Sequence, residues 1–191
     1  MLTLVSWNIQ YGKGVDGRID LPRIAETVQK DGLPDVLCFQ EVSRNYPSND
    51  EGADQVRELE MLFPNYEPFF GAVHDRSGRK GKARKQFGNL VLSRLSPVQV
   101  LHHLLPSPAD PEVKFMSRQI AELVIPANKT DLRVMTTHLE FFSEIQQLAQ
   151  IQRIREIHEE AFNQFHNPGK DMQSTPFELV RRPEKTVICG D

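Results

Sequence analysis

The chain has 191 residues, with 26 Asp and Glu against 23 Lys and Arg, so its formal net charge is −3. That length buries a continuous core without covalent staples, and a composition of 39% hydrophobic and 26% charged residues excludes wholesale disorder. No apolar run approaches the roughly 18–20 residues of a membrane span, the N-terminal MLTLVSWNIQ lacks the basic stretch of a secretory signal, and the acidic total argues against a generic electrostatic nucleic-acid binder. A first strand is predicted over Leu2–Trp7. From Asp20 to Lys30, Leu21, Ile24, Ala25 and Val28 fall at helical spacing behind Asp20 as N-cap, and Gly32 and Pro34 end the run. A strand over Asp35–Gln40 follows. Val56, Leu59, Leu62 and Phe63 then predict a second helix within Asp50–Phe63, closed by Pro64. Strands are predicted at Phe87–Ser93, Val98–Leu104, Arg118–Ile125 and Leu132–His138. Ser143 and Gln146 form a capping box for the longest helix. Its predicted core stripe is Ile145, Leu148, Ile151, Ile154, Ile157, Ala161, Phe162 and Phe165, and Pro168-Gly169 stops it. A last strand covers Thr186–Cys189.

This order of elements points to mixed α/β sheets, with no internal repeat and no linker dividing the chain. Cys38 and Cys189 are too few for a disulfide framework and read as buried free thiols of a reducing compartment, so a soluble cytoplasmic protein is expected. The segment Asp75–Lys85 carries six Lys or Arg and no large apolar residue, which predicts an exposed loop.

Polar, ligand-type residues stand at the ends of apolar strands: Asn8 after Leu4–Trp7, Glu41 after Val36–Gln40, His138 after Val134–Thr137, and Asp191 after Val187–Gly190. Sheets fix such positions while the adjoining loops leave room for a ligand. Each has an ordinary structural explanation: a turn cap for Asn8, a solvated loop start for Glu41, a satisfied core histidine for His138. Four strand ends behaving alike point instead to one site. Two carboxylates and an amide are hard oxygen donors suited to Mg²⁺ or Mn²⁺, and a histidine with an arginine can hold phosphate oxygens as charge develops. HExxH, zinc-spaced Cys/His clusters, GxSxG and GxxxxGK[ST] do not occur, which disfavours zinc hydrolases, serine hydrolases and P-loop NTPases.

The ordered series VSWNIQYG, DVLCFQEVS, FGNLVLSR, FMSRQIAELVI, TTHLE and VICGD, spread from Ser6 to Asp191, resembles the endonuclease/exonuclease/phosphatase superfamily with its deoxyribonuclease I-like fold. The resemblance implies an α/β (α+β) four-layer sandwich of two mixed β-sheets flanked by helices, and Mg²⁺- or Mn²⁺-dependent hydrolysis of phosphate esters. Carried over by position, Glu41 is the metal-binding glutamate, and Asn8 holds the metal or its neighbouring carboxylate. His138 contacts the scissile phosphate, and Asp191 of the GDxN motif binds or orients the attacking water. Arg118, twenty residues before His138, is a phosphate contact. Asn89 is a substrate-side polar group or a structural turn residue.

The asparagine that completes GDxN and the later SDH-like segment with the general-base histidine are not in this sequence, and family domains run to about 250 residues. His102, His103, His158 and His166 stand in no SDH context. The expectation is therefore one catalytic domain over residues 1–191, C-terminally incomplete and lacking its last strands, with little or no hydrolysis as it stands. Such a chain exposes apolar sheet surface and associates with itself. The substrate is a phosphodiester or phosphomonoester, with nucleic acid admitted by the basic segment and small phosphoesters by the net charge. The alternative is a non-catalytic module that binds a phosphorylated ligand or a partner. Codons for Phe/Leu-Asn and later Ser-Asp-His beyond Asp191 would separate the two.

Overall fold

Alternation along one strand decides the layering. In Val36–Arg44, Val36 and Cys38 point to one face and Leu37 and Phe39 to the other, and all four are fully buried. A strand buried on both faces needs a covering layer on each side. The structure is a computed structural model that describes residues 2–79, 81–127, 130–179 and 181–191. It supplies both layers.

One sheet contains β1 (Leu4–Asn8), β2 (Val36–Arg44), β3 (Glu67–Arg76) and β4 (Lys85–Ser93), in the order β1-β2-β4-β3, with β1 parallel to β2 and the other pairs antiparallel. The second contains β5 (Gln99–Leu104), β6 (Gln119–Ile125), β7 (Leu132–Thr137) and β8 (Thr186–Gly190), in chain order, with only β7 and β8 parallel. Val36, Cys38 and Val91 of the first sheet meet Ala121, Leu123, Ile125 and Val134 of the second to form the inner core. On the outside of the first sheet pack α1 (Leu21–Gln29), the short α2 (Pro47–Asp50) and α3 (Gln55–Leu62), with Leu37, Phe39, Leu59, Phe63 and Leu90 at the centre of that layer. Each such side chain contributes roughly 1.5–3 kcal/mol by leaving water. The long α4 (Glu144–His166) covers the second sheet over Ile120, Met135 and Ile157. The result is the predicted four-layer sandwich of two mixed sheets flanked by helices.

Both predicted caps form. Asp20 accepts from Arg23 N at 3.0 Å, and Ser143 from Gln146 N at 3.2 Å, each satisfying an amide that the first turn leaves free. The predicted second helix is corrected at its start. It begins at Gln55, capped by Asp54, because Glu51 and Gly52 take positive φ and the Asp50 carboxylate is occupied by Ser43 Oγ, Tyr46 N and Gly52 N. Sequence pattern missed β3, an edge strand interrupted by Pro68 and Gly71. It is held by its antiparallel register with β4, not by periodicity of its own. The basic segment is accordingly not all loop: Arg76 pairs with Lys85 across the two strands, and Arg84 binds Asp75 at 2.6 Å. Lys80 lies outside the described residues. Asn89 sits in the middle of β4, which excludes its turn role.

The stripe expected beneath α4 holds at Ile154, Ile157 and Ala161, which face the core, and is corrected toward both ends of the helix. Ile145 and Leu148 are 57% and 58% exposed, whereas Gln146 and Gln150 are fully buried. The reason lies in the segment running under the helix: Gln146 Nε2 donates to Pro108 O and Gln150 Nε2 to Pro106 O, and Gln150 Oε1 accepts from Glu140 N at 2.8 Å. Irregular backbone there needs polar partners more than it needs apolar cover. Farther along, Glu122 of β6 is fully buried and receives both Arg182 Nε and Nη2 at 2.9 Å, with His103 Nε2 at 2.8 Å. Burial opposes its charge, yet His103, Arg182 and Arg133 prevail and hold its carboxyl at about 2.

Candidate active site

Parallel pairing brings strand ends together. The β1/β2 pair delivers Asn8 and Glu41 to one rim of the sandwich, and the β7/β8 pair delivers His138 and Asp191 to the same rim. The join crosses the two sheets: Asn8 Nδ2 donates to Glu41 Oε1 at 3.0 Å and to Asp191 Oδ2 at 2.8 Å, while Asn8 Oδ1 accepts from Gln10 N at 3.1 Å. His138 Nδ1 lies 3.7 Å from Glu41 Oε1. Two local devices aim the carboxylates. In β2, Phe39 pairs with Leu90 and Val42 with Gly88, so Gln40 and Glu41 together oppose Asn89, with Glu41 at φ +60°. Such a bulge re-aims a side chain that a regular strand would direct elsewhere. In β8, Gly190 takes φ +144° with its Cα against the Thr137 carbonyl, a place that no Cβ fits, and this lets the chain turn Asp191 inward.

Antiparallel neighbours bring in the cations. Ile120 pairs with Thr137, so Arg118, just before β6, arrives beside His138. Arg118, His138 and Asn89 line one narrow crevice. Arg118 Nε lies 3.5 Å from Glu140 Oε2, and both side chains are almost wholly buried. Burial pulls the Arg118 guanidinium below its usual range, against the pull of Glu140, Glu41 and Asp191. Burial, then Arg118, pushes His138 toward its neutral form, although the three carboxylates resist. Burial would raise Glu140, but the amides of Phe142, Met116 and Phe141 and the Arg118 charge hold it low. The six residues expected from the sequence thus gather at one rim: Asn8, Glu41 and Asp191 joined by hydrogen bonds, His138 beside Glu41, and Arg118 and Asn89 along the crevice.

A family model described as the Endonuclease/Exonuclease/phosphatase family matches residues 5–191. The chain belongs to that family. No curated protein matches it. Among solved structures, an endonuclease/exonuclease/phosphatase from Beutenbergia cavernae is similar, at 24% identity and a TM-score of 0.66, covering 93% of this chain and 50% of that one. Humanized D. rerio TDP2 is similar at 19% identity and TM-score 0.55, covering 100% and 61%. A mannosyl-6-phosphatase from Bacteroides thetaiotaomicron is similar at 17% and 0.61, covering 90% and 62%. These likenesses establish the shared fold, and the chain spans between half and five-eighths of the length of these three.

In this endonuclease/exonuclease/phosphatase family chain, the sequence reading left several site residues unassigned. Glu140, two residues past His138 in the same loop, orients Arg118; its signal was its place in TTHLE. Gln40, next to Glu41, is fully buried and ties the sheets beneath the site through Ser6 Oγ at 3.3 Å and Thr136 Oγ1 at 2.9 Å. A cleft of about 490 Å³ opens beside Glu41, lined among others by Tyr11, Tyr46, His74, Arg76 and Phe115. His74 and Arg76 could not be assigned without the strand β3. A larger cavity of about 670 Å³, between the end of α4 and a wall that includes Pro168, Leu179 and Arg182, shares no lining residue with the site, so size alone does not locate the chemistry. Trp7 packs into the helix-side core. Of the two free thiols, Cys38 is fully buried as expected, but Cys189 is only half-buried. No helix among the described residues is long and apolar enough to cross a membrane.

Proposed function

We propose that the protein is a divalent-metal-dependent phosphoesterase, a hydrolase of phosphodiester or phosphomonoester bonds. One observation carries this reading: two carboxylates from opposite sheets, Glu41 and Asp191, held by a single amide, Asn8, at 3.0 and 2.8 Å beside His138. Family membership supports it. The donor set fits Mg²⁺ or Mn²⁺, which take hard oxygen ligands and keep several waters. Among the described residues no group of three or more His, Cys, Asp and Glu is poised to hold an ion, so the cation would depend on few side chains plus water and substrate phosphate. Glu41 is the ligand, with Asp191 alongside. Asn8, its Oδ1 engaged by Gln10 N, takes the second of its two expected roles and holds the carboxylates in place.

Bound there, the metal would polarise a phosphoryl oxygen and offset its developing charge. Arg118 and His138 flank the same phosphate. Arg118 brings a permanent charge made stronger by low surrounding polarity, and His138, kept near neutrality, brings a hydrogen bond aimed at an oxygen as charge grows on it. Asp191, with one oxygen fixed by Asn8, orients the attacking water with the other. Asn89 meets the substrate from β4. The aromatic and cationic cleft next to Glu41 receives the leaving portion, which leaves nucleic acid and small phosphoesters both within reach.

The test has two arms. Mn²⁺ titration of the protein is expected to show one site that Glu41→Ala weakens by 10-fold or more, a loss of about 1.4 kcal/mol or more. Mg²⁺-dependent hydrolysis of a generic phosphodiester, proposed to be little or none in the 191-residue chain, is expected to fall with it wherever it is detectable. Unchanged Mn²⁺ affinity in Glu41→Ala overturns the metal assignment.

A further inference from the structure

Two thiols lie under the site and take no part in it. The parallel register places Cys38 beside Ser6 in the first sheet and Cys189 beside Thr136 in the second. All four side chains belong to the space between the sheets: Cys38 is part of the inner core against which Cys189 packs, and Gln40 Nε2 spans from Ser6 Oγ to Thr136 Oγ1 across the same gap. The Cys38 and Cys189 thiols neighbour one another across that gap, and the Cys189 thiol donates to Met135 O at 3.6 Å. One is inaccessible to water and the other is reachable at its strand.

From this juxtaposition we infer that Cys38 and Cys189 form an oxidation site at which a peroxide closes a reversible disulfide between the two sheets. The accessible Cys189 thiol gives up its proton and attacks one peroxide oxygen as a thiolate; the O–O bond breaks, the departing hydroxide takes that proton and leaves as water, and Cys189 becomes a sulfenic acid. Cys38 sulfur then attacks the Cys189 sulfur, the S–O bond breaks, and the Cys38 proton leaves with the hydroxyl as a second water. Two thiols are oxidised by two electrons, one peroxide is reduced, and the atoms balance. The buried Cys38 is shielded from oxidant, so it acts as the resolving thiol. Closing this packed pair to the S–S length of about 2.05 Å draws the strands together. The link joins β2 three residues before Glu41 to β8 two residues before Asp191, so thiol state acts on the two strands that present the carboxylates. Disulfides that form inside reducing compartments are characteristically redox-sensing.

The experiment uses the full chain, reduced and then exposed to stoichiometric hydrogen peroxide. Thiol titration after unfolding is expected to fall from two groups to none, intact mass to drop by two hydrogen atoms, and a non-reducing peptide map of the monomer to join the Cys38 and Cys189 peptides. Dithiothreitol should restore both thiols. Cys38→Ser should leave Cys189 oxidised beyond the sulfenic stage without an internal link, and Cys189→Ser should leave Cys38 unreacted. Amide hydrogen exchange along β8 should slow in the oxidised wild type. A Cys189 sulfinic acid with Cys38 still free in the wild type, or links formed only between chains, overturns the site; unchanged β8 exchange overturns the tethering. Each readout is independent of phosphoester hydrolysis.

Discussion

Asn8 directs its amide group at carboxylates that arrive from different sheets, so its contribution is to hold two like charges at a fixed spacing. Asn8→Ala leaves Glu41 and Asp191 to repel one another and to spread apart. The expected outcome is a 10–100-fold loss of Mn²⁺ affinity, the usual effect of losing a partner that orients a ligand, with the folded structure kept; calorimetric titration and circular dichroism together check this. Gly190 acts on the backbone. Its φ of +144° and the Thr137 carbonyl against its Cα leave no room for a methyl group, so Gly190→Ala should destabilise the fold by about 1–3 kcal/mol, measured as a lower urea midpoint. Glycine and aspartate are legible as a pair in the sequence, but why glycine is required there is not, because the obstructing carbonyl belongs to a strand some fifty residues away in sequence.

At the scale of elements, α4 shows where periodicity and burial part company. A stripe of Ile and Leu at steps of three is a sound signal for a helix, and the helix formed. Which face it buries was decided by the backbone of residues 105–118 lying beneath, whose carbonyls Gln146 and Gln150 serve. The two faces make a test. Gln150→Leu should cost about 1–3 kcal/mol by leaving Pro106 O and Glu140 N unpaired in a buried place, whereas Ile145→Gln should stay within about 0.5 kcal/mol of wild type. Chemical denaturation of both variants distinguishes them. The reverse ranking would mean that the apolar stripe is the buried one. The edge strand β3 illustrates the converse problem. With Pro68 and Gly71 inside it and a charged end, its pairing with β4 comes from the neighbour's register, which no local window contains.

Over the whole molecule, the buried Glu122 cluster sets an acid limit. Its carboxyl titrates near 2 in the folded chain against the usual 4.5. A carboxyl held low in the fold stabilises fully above the unfolded value, and that stability is lost as pH falls from 4.5 through about 2. The amount is at most about 3 kcal/mol. Urea midpoints for the wild type should therefore decline steeply below pH 4.5, while those of Glu122→Gln start lower and decline less. The same scale carries the self-association expected from the sequence, which we retain as a proposal. Val187 and Ile188 are exposed on β8, an edge strand of the second sheet, and sedimentation velocity across a concentration series should show association that Ile188→Lys weakens.

The family resemblance implied the four-layer arrangement, whereas the residues alone determined a mixed α/β plan, two of the three long helices to within a residue or so at each end, and the identity of the strand-end polar residues. These follow from interactions between near neighbours in the chain: side-chain alternation, helical spacing, and caps reaching three residues ahead. Only the tertiary structure decided that Asn8, Glu41, His138 and Asp191 meet. It also decided that a bulge turns Glu41 toward them, that Glu140 and Gln40 support them, and that Cys38 lies against Cys189. Each of those facts depends on strand register between segments tens to more than a hundred residues apart, and register is fixed by the packing of whole sheets, not by any local run of sequence.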